Sequence, residues 1–253
     1  MGTKFTAIIQ ARMTSTRLPG KVLMEVMGRP LLSYQIERLR LSREIHKIII
    51  ATTVDKEDNP VESFAQQEDI KVYRGSENDV LDRYYQAARQ YQADHIVRIT
   101  ADCPLIQPDI CDQVARIYIK SDVDYAYMSK RFAEGLGCEI FNFTTLERAW
   151  NEARMKSERE HVTLYIRNHP DIFQIIRVEN KINDSRYRFS VDEKEDFLVV
   201  KAIIENLYTG QNNYFTVNNI KRFFDTHPSI YELNAHIIRN EGLLKSLKAD
   251  SRI

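Results

Sequence analysis

Residues 5–21 of the chain read FTAIIQARMTSTRLPGK, an apolar run followed at once by a basic loop. The run from Phe5 to Ile9 predicts a buried strand. The loop is rich in Ser, Thr, Pro and Gly and carries Arg12, Arg17 and Lys21. In an α/β sheet, ligands bind just past the carboxyl end of such a strand. Small residues let backbone N–H groups approach an anion, and cations supply the opposite charge. We therefore expect a polyphosphate here, with a solvated basic loop as the alternative.

The first half of the chain alternates apolar strands with amphipathic helices. After the first strand, the pattern predicts strands at 47–52, 70–73 and 95–100, and helices at 30–39, 58–68 and 79–91. Strand–helix alternation implies parallel strands joined by right-handed crossovers. Apolar runs without alternation are typical of strands covered on both faces. The predicted fold is therefore α/β, a doubly wound and mostly parallel sheet between two helical layers.

The second half of the chain has a more mixed pattern. It predicts strands at 124–128, 138–141, 173–178 and 187–191, and helices at 145–154, 193–208, 216–225 and 229–238. The polar residues from Lys245 onward are expected to be frayed. No internal repeat or low-complexity linker is visible, so the whole chain, 1–253, is expected to form a single domain.

Composition excludes several classes of protein. Lys plus Arg and Asp plus Glu are both 36, which gives no net charge and argues against a general nucleic-acid or anionic-membrane binder. The three cysteines, Cys103, Cys111 and Cys138, form no CxxC pair, as expected in a reducing compartment. The first apolar run is too short for a signal peptide, and no run is long enough to span a membrane. We expect a cytoplasmic protein.

The basic loop and three other segments resemble one enzyme family. The pattern Ala-Arg-x-x-Ser-x-Arg-Leu-Pro-Gly-Lys, from Ala11 to Lys21, is similar to the signature of the sugar-acid cytidylyltransferases, which include the CMP-sialate and CMP-KDO synthetases. Segments 74–84, 99–105 and 159–163 are also similar to this family, most of all to its spore coat polysaccharide biosynthesis protein F branch.

The resemblance implies a Rossmann-like nucleotide-diphospho-sugar transferase fold. It also implies transfer of CMP from CTP to a nonulosonate or KDO-like acid, with Mg²⁺ as cofactor and pyrophosphate as product, for cell-surface or spore coat polysaccharide. A homodimer is the expected assembly, and segment 122–182 is expected to be an insertion on the acceptor side that also dimerises.

Asp102 is the first candidate metal ligand. It follows the fourth predicted strand, so its side chain is expected in the same crevice as the basic loop. From position alone, an aspartate that caps a turn before Pro104 is an equal alternative. Thr-Ala-Asp-Cys-Pro-Leu resembles the family's Gly-Asp-x-Pro-Leu metal motif, with Ala101 in place of Gly. The resemblance therefore implies that Asp102 binds Mg²⁺ and, with Arg12 and Lys21, forms the catalytic set.

Asp192 is the second candidate. It follows an apolar segment, and its spacing to Glu195 is also that of a helix capping box. The resemblance implies a second metal carboxylate at this place, with Asp196 as a weaker candidate outside the ligand shell.

The nucleotide site is expected to include a polar turn after the third strand. The resemblance implies that this turn binds cytosine, with Ser76 and Arg83 as the favoured contacts. Alternatively, Asp79 caps the next helix and Arg83 only pairs with it at i,i+4. The predicted nucleotide-binding set is Ala11, Arg12, Ser15, Arg17, Lys21, Arg74, Ser76 and Arg83.

The acceptor is expected to contact Glu139 through its hydroxyls and Arg159 with His161 through its carboxylate. A single histidine is more often structural than catalytic, although it titrates near neutral pH. Gly135 and Gly137 would let the backbone approach a ligand, as they also would in a plain turn.

A nucleotidyltransferase with another base or a sugar-phosphate acceptor is an alternative, as is a nucleotide-binding module without turnover. An NAD-dependent oxidoreductase is disfavoured because no GxGxxG follows the first strand, and a P-loop ATPase because GxxxxGK[ST] is absent.

Overall fold

A computed structural model describes residues 3–210 and 214–252. The strands are β1 (Phe5–Gln10), β2 (Glu25–Val26), β3 (Arg29–Pro30), β4 (Ile45–Thr53), β5 (Lys71–Gly75), β6 (His95–Thr100), β7 (Tyr125–Met128), β8 (Glu139–Asn142) and β9 (Ile175–Val178). The helices are α1 (Leu31–Arg40), α2 (Asn59–Gln67), α3 (Val80–Gln90), α4 (Pro108–Ser121), α5 (Phe143–Glu152), α6 (Lys156–Glu160), α7 (Leu164–Asn168), α8 (Lys194–Leu207), α9 (Val217–Thr226), α10 (Pro228–Glu232) and α11 (Glu241–Lys248). Short 3₁₀ turns cover Lys21–Leu23 and Lys56–Asp58.

Seven strands form one sheet in the order β5-β4-β1-β6-β8-β7-β9. The first-half strands pair in parallel, with β1 between β4 and β6. β8 runs antiparallel to both of its neighbours, and β7 pairs in parallel with β9. The predicted fold class, a doubly wound and mostly parallel α/β sheet, is confirmed.

Strand β1 shows why the sheet is covered on both faces. Ala7 and Ile9 pack on one side against α1, α2 and α4, whereas Ile8 packs on the other side against α3, α5 and α7. Successive side chains of a strand point to opposite faces, so a strand between two helical layers buries apolar side chains on both faces, as Ala7, Ile8 and Ile9 do. A third apolar cluster joins α1 to α8 and α9.

Four expectations about the second half need correction. Helix α4 lies where no element was predicted, although Ile110, Val114 and Tyr118 have helical spacing. Residues 187–191 are not a strand, because their backbone pairs singly with Glu134 and Asp102 rather than with a neighbouring strand.

The other two corrections concern the C-terminal part. The helix predicted at 229–238 is only α10, which ends at Glu232, and the buried Asn234 then bonds to Arg188 and Asp196. The segment from Lys245 is not frayed: α11 continues to Lys248, and Asp250 bonds to Ser157.

The proposed insertion at 122–182 supplies β7, β8 and β9 to the central sheet, together with α5, α6 and α7. Within the described residues, no helix is both long enough and apolar enough to cross a membrane.

Candidate active site

A large cleft lies at the carboxyl end of the parallel strands. Its volume is about 1490 Å³, whereas a pocket for one small ligand is typically about 300–1000 Å³. The cleft therefore has room for two substrates. The predicted site residues that line it are Ala11, Arg12, Arg17, Arg83, Asp102, Glu139, Arg159, His161 and Asp192.

The basic loop is held at its start by a buried carboxylate. Asp58, at the end of a 3₁₀ turn, has no exposed surface and accepts the backbone N–H of Met13 at 2.6 Å. Its other oxygen accepts the hydroxyl of Thr53 at 2.5 Å, at the end of β4. Asp58 therefore ties the loop to the neighbouring strand. No local sequence signal indicates this role, because an aspartate at this position also fits the start of the predicted helix 58–68.

Lys21 connects the two candidate metal ligands. Its ammonium lies 2.8 Å from Asp192 Oδ1 and 3.4 Å from Asp102 Oδ2. Burial by itself would lower the pKa of Lys21, but the two carboxylates outweigh it and raise the pKa above its ordinary value. Lys21 is therefore a firmly charged cation between two carboxylates that are 90 residues apart in sequence, a separation read from their numbers (192 − 102).

The backbone also brings the two carboxylates together. The N–H of Val191 donates to the carbonyl of Asp102 at 2.8 Å, and the Thr100 hydroxyl donates to Asp102 Oδ1 at 2.5 Å. This contact places Asp192 beside Asp102, at the end of β6. The structure thus brings both predicted metal ligands to one place.

The capping box at the start of α8 is shifted by one residue from the prediction. Asp196, and not Glu195, accepts the backbone N–H groups of Asp192 and Glu193, both at 3.0 Å. The box formed by Glu193 and Asp196 leaves the Asp192 side chain free to face the cleft. The predicted pairing of Asp192 with Glu195 is therefore wrong.

Asp192 is surrounded by cations. Arg188 donates to its Oδ2 at 2.7 Å, and Arg17 lies 2.9 Å from its Oδ1, the same oxygen that Lys21 contacts. Burial would raise the pKa of Asp192, but Lys21, Arg17 and Arg188 together lower it. Asp192 is therefore an ionised carboxylate at neutral pH.

The remaining loop residues differ in their exposure. Arg12 is the most exposed of the three cations, at 43%, with Glu77 3.5 Å away. Ala11 is buried, and its N–H donates to Ala51. Ser15 does not line the cleft, and its hydroxyl accepts the N–H of Leu18.

The segment from β5 to α3 brings Arg83 to the cleft but leaves Arg74 outside it. Arg83 is 2% exposed, lines the cleft and donates to the carbonyl of Ser76 at 2.8 Å. Asp79 caps α3, as one alternative expected, but its ion pair is with Arg159 and not with Arg83. Arg74 lies outside the cleft lining, where its guanidinium bonds Glu62 and the carbonyls of Thr53 and Asp55.

The acceptor candidates occupy the other half of the cleft. Both oxygens of Glu139 already have donors: Tyr125 at 2.7 Å on one, and Arg98 at 2.8 Å with Thr163 at 3.0 Å on the other. Arg167 lies 3.5 Å from the same carboxylate. Burial would raise the pKa of Glu139, but the two arginines lower it.

In the acceptor half of the cleft, Arg159 already has hydrogen-bond partners, whereas Nε2 of His161 has none. Arg159 is engaged by both oxygens of Asp79, at 2.5–3.0 Å, and by the carbonyl of Trp150. Burial, with Arg98 and Arg167 nearby, lowers the pKa of His161, and its buried Nε2 makes no hydrogen bond. His161 is therefore a neutral ring at pH 7.

Comparison with known proteins identifies the family of this chain. Residues 6–238 match the sequence profile described as cytidylyltransferase. The chain belongs to the cytidylyltransferase family. It is therefore a nucleotidyltransferase.

Three relatives of this cytidylyltransferase are similar to it over different shares of the chain. A solved cytidylyltransferase structure from Leptospira borgpetersenii superposes with a TM-score of 0.84 at 32% identity, covering 91% of this chain and 97% of the other. The spore coat polysaccharide biosynthesis protein SpsF of Bacillus subtilis is 34% identical over 205 residues, 78% of this chain and 85% of the relative. A 3-deoxy-manno-octulosonate cytidylyltransferase of Geobacter metallireducens is 34% identical over 110 residues, 44% of this chain and 42% of the relative.

Several residues of the cleft were not identified from the sequence. They are Arg98, Arg167, Arg188 and the C-terminal residues 238–243, and Asp58 supports the loop from outside the lining. Arg98 and Arg188 did carry a signal, since each is a charged residue inside an apolar segment, where unpaired charges are rare. Nothing local distinguishes the others.

Proposed function

We propose that the protein transfers CMP from CTP to a nonulosonate or KDO-like sugar acid and releases pyrophosphate, in the cytoplasm, for synthesis of a cell-surface or spore coat polysaccharide. One observation carries the proposal: Lys21, Asp102 and Asp192 converge beside Arg17 at the carboxyl end of the sheet. The names of the spore coat and 3-deoxy-manno-octulosonate relatives support the class of acceptor.

The basic loop is proposed to hold the triphosphate. Arg12 is exposed and only loosely paired, so it can turn towards a phosphate with little loss of existing contacts. Arg17 and Lys21 lie against the carboxylates and would stabilise the charge that develops on the departing pyrophosphate. Positioning and electrostatics supply most of the rate in such a transfer.

Mg²⁺ is the proposed cofactor, held by Asp102 and Asp192. The donor set fits, because Mg²⁺ commonly takes one or two protein carboxylates and completes its shell with phosphate oxygens and water. Both carboxylates contact the same ammonium nitrogen, at 3.4 and 2.8 Å, and this convergence supports a shared metal ion. When bound, the metal ion would neutralise phosphate charge and polarise the acceptor hydroxyl.

The base is proposed to lie against the turn that enters α3. Arg83 is buried, lines the cleft and leaves its Nε without a partner, and the carbonyl of Ser76 fixes the rest of its guanidinium. A fixed donor of this kind suits a base with a carbonyl edge, as cytosine has.

Two arginines, Arg98 and Arg167, flank the single carboxylate of Glu139, so these three side chains together carry one positive charge. Glu160 lies 3.8 Å from His161. The two guanidinium groups support an acceptor with an anionic group. Because Asp79 engages Arg159, we propose that Arg98 and Arg167, rather than Arg159, face the acceptor carboxylate, and that Glu139 orients them.

A homodimer through segment 122–182 remains a proposal. It is supported by the position of β9, which ends the sheet with one edge unpaired among the described residues.

Pyrophosphate release tests the function. The protein with Mg²⁺ is assayed with CTP, UTP, GTP or ATP against a panel of 3-deoxy sugar acids, neutral sugars and sugar phosphates. We expect release only with CTP and a sugar acid. Release with a sugar phosphate, or with another nucleotide, would replace the proposed substrates.

A matched pair of variants tests the site itself. Asp102→Asn keeps the shape of the side chain but removes the charge, so turnover should fall by about 100-fold or more. The control is Asp225→Asn, at an exposed position on α9 outside the cleft, which should turn over at the wild-type rate. Near wild-type turnover in Asp102→Asn would contradict the metal assignment.

A further inference from the structure

Residues 239–252, here called the C-terminal strap, cross the mouth of the cleft. Residues 239–243 line it, and α11 continues from there towards α6 on the far side. The family match ends at residue 238, just before the strap begins.

The strap is attached to one side of the cleft near Arg188. The buried Asn234, just before the strap, donates to the Arg188 carbonyl at 3.2 Å and to Asp196 at 2.9 Å. The Arg239 guanidinium donates to the carbonyls of Lys130 and Phe132, and the Asn240 N–H donates to Glu134 at 3.1 Å. This end is therefore firmly held.

The other end of the strap is attached to α6. Ser157 donates its N–H and its hydroxyl to Asp250, at 3.0 and 2.6 Å, and the Lys156 N–H donates to the carbonyl of Ser251 at 2.9 Å. The Ser246 hydroxyl donates to Glu160 at 2.7 Å. These contacts are polar and lie near the surface.

No residue from 235 to 252 is buried. The strap therefore adds no fully buried side chain to the core, and segments with few buried apolar contacts open locally at a small cost in free energy. Leu244 and Leu247 stay about half exposed, at 48% and 46%. The strap is held in place by polar contacts rather than by packing.

One of these contacts uses a residue of the basic loop. Arg17 Nη1 lies 3.2 Å from Glu241 Oε2, while the same nitrogen contacts Glu193 Oε1 at 3.0 Å and Nη2 contacts Asp192. A bound triphosphate would need the donors of Arg17 and would also repel the Glu241 carboxylate. Glu241 and a phosphate therefore compete for the same cation.

We propose that the C-terminal strap closes the empty cleft through the Arg17–Glu241 ion pair, and that binding of a nucleoside triphosphate breaks this pair and releases the strap. The proposal rests on the proposed function, because it takes Arg17 to be a phosphate ligand. Binding and opening are then linked: whatever loosens the strap tightens nucleotide binding.

Hydrogen exchange and nucleotide affinity test the link. In the wild-type protein, CTP with Mg²⁺ and no acceptor should speed exchange of the amides in 241–248 at least threefold. Glu241 Oε1 also pairs with Lys245 at 2.9 Å within α11. Glu241→Gln should therefore show faster exchange in 241–248 before any nucleotide is added, and by more than Lys245→Gln, which breaks only the pair within the helix. Equal exchange in the two variants would overturn the proposal. Glu241→Gln should also bind CTP about two- to fivefold more tightly, the range expected for the loss of one competing, partly exposed ion pair.

Glu193→Gln is the matched control. It removes an equal charge at a similar distance from Arg17, but Glu193 lies at the start of α8 and not on the strap. It should leave exchange of 241–248 unchanged, even if the lost charge alters affinity. Faster strap exchange in this control would mean that the effect is general electrostatics, and would overturn the proposal.

Two other results would also overturn it. One is slower exchange of the strap when CTP binds, since that would show a strap that closes over the nucleotide. The other is unchanged exchange in Glu241→Gln. Failure of the wild-type protein to bind CTP would contradict the proposed function instead, while exchange in nucleotide-free Glu241→Gln would still decide whether Arg17 tethers the strap.

Discussion

Replacing Arg188 with methionine should destabilise the protein strongly. Its side chain is 6% exposed and its guanidinium contacts Glu134 at 2.6 Å, Asp192 at 2.7 Å and Asp196 at 2.8 Å. Asp196 has no exposed surface. Asp192 keeps Lys21 and Arg17, but Arg188→Met would leave Glu134 and the buried Asp196 without their cation, and an uncompensated buried charge typically costs about 3–5 kcal/mol. For a chain of this size, each kcal/mol lowers the melting temperature by about 2–4 °C.

The size of this loss depends on the buried carboxylate that is left behind. Asp196 also accepts the N–H groups of Asp192 and Glu193 at the start of α8. Adding Asp196→Asn to Arg188→Met removes the stranded charge but keeps an accepting oxygen, so it should recover part of the lost stability, although Asp196→Asn alone is destabilising. Urea unfolding followed by circular dichroism measures each free energy of unfolding. Arg148→Met is the control, because its partner Glu152 is exposed and the pair should contribute no more than about 0.5 kcal/mol.

The pH dependence gives a second test of the same reasoning. In the wild-type protein, Lys21, Arg17 and Arg188 lower the pKa of Asp192 against the effect of burial. The ionised Asp192 therefore stabilises the fold above its ordinary pKa of about 4, and this stabilisation is lost as the pH falls through the lowered pKa. Without Arg188 the contribution of Asp192 is smaller. The difference in free energy of unfolding between wild type and Arg188→Met should therefore become smaller below about pH 4. The argument would be refuted if Arg188→Met lowered the free energy of unfolding by less than about 1 kcal/mol at pH 7, or if this loss did not change with pH.

Two further changes have definite expected outcomes. Gly135 has φ of +86°, and a Cβ there would lie 2.3 Å from the backbone nitrogen of Ser190. Gly135→Ala should therefore lower the melting temperature by several degrees in a thermal scan. The control is Gly137→Ala, where a Cβ meets nothing within 4 Å and the melting temperature should change little. The pKa of His161 is lower in the folded protein than in the unfolded chain, so protonation of this ring favours unfolding. Above about pH 6.5 the ring is neutral in both states and costs no stability, and the free energy of unfolding falls as the pH drops below this value. His161→Gln should therefore lose less stability between pH 6.5 and 5 than wild type in the same thermal scans, and an equal loss would contradict the argument.

The local sequence contained enough information to predict the first half of the fold. A strand that is apolar at each of Ala7, Ile8 and Ile9 can be satisfied only between two covered faces, and the structure places these side chains in two separate clusters. Asp102 could be placed at the cleft from sequence as well, because the carboxyl ends of parallel strands share one edge of the sheet.

Predictions failed where a residue's partner is distant in sequence. Arg159 was expected to be available for an acceptor carboxylate, but Asp79, 80 positions away, engages it. Residues 187–191 have the composition of a strand, yet their backbone bonds go to Glu134 and Asp102. The C-terminal segment seemed only polar, because its contacts with α6 lie about 90 positions away, as Ser157 and Asp250 show.

The fold class, the family and the basic loop were predictable from the sequence, since each depends on residue types at short and regular spacing. The ion pairs of the site were not: Lys21 bridges Asp102 and Asp192, Arg98 and Arg167 share Glu139, and Glu241 reaches Arg17 only in the folded chain. Ion pairs act over a few ångströms in space and do not depend on separation along the chain. Their partners are therefore chosen by the packing of the elements that carry them.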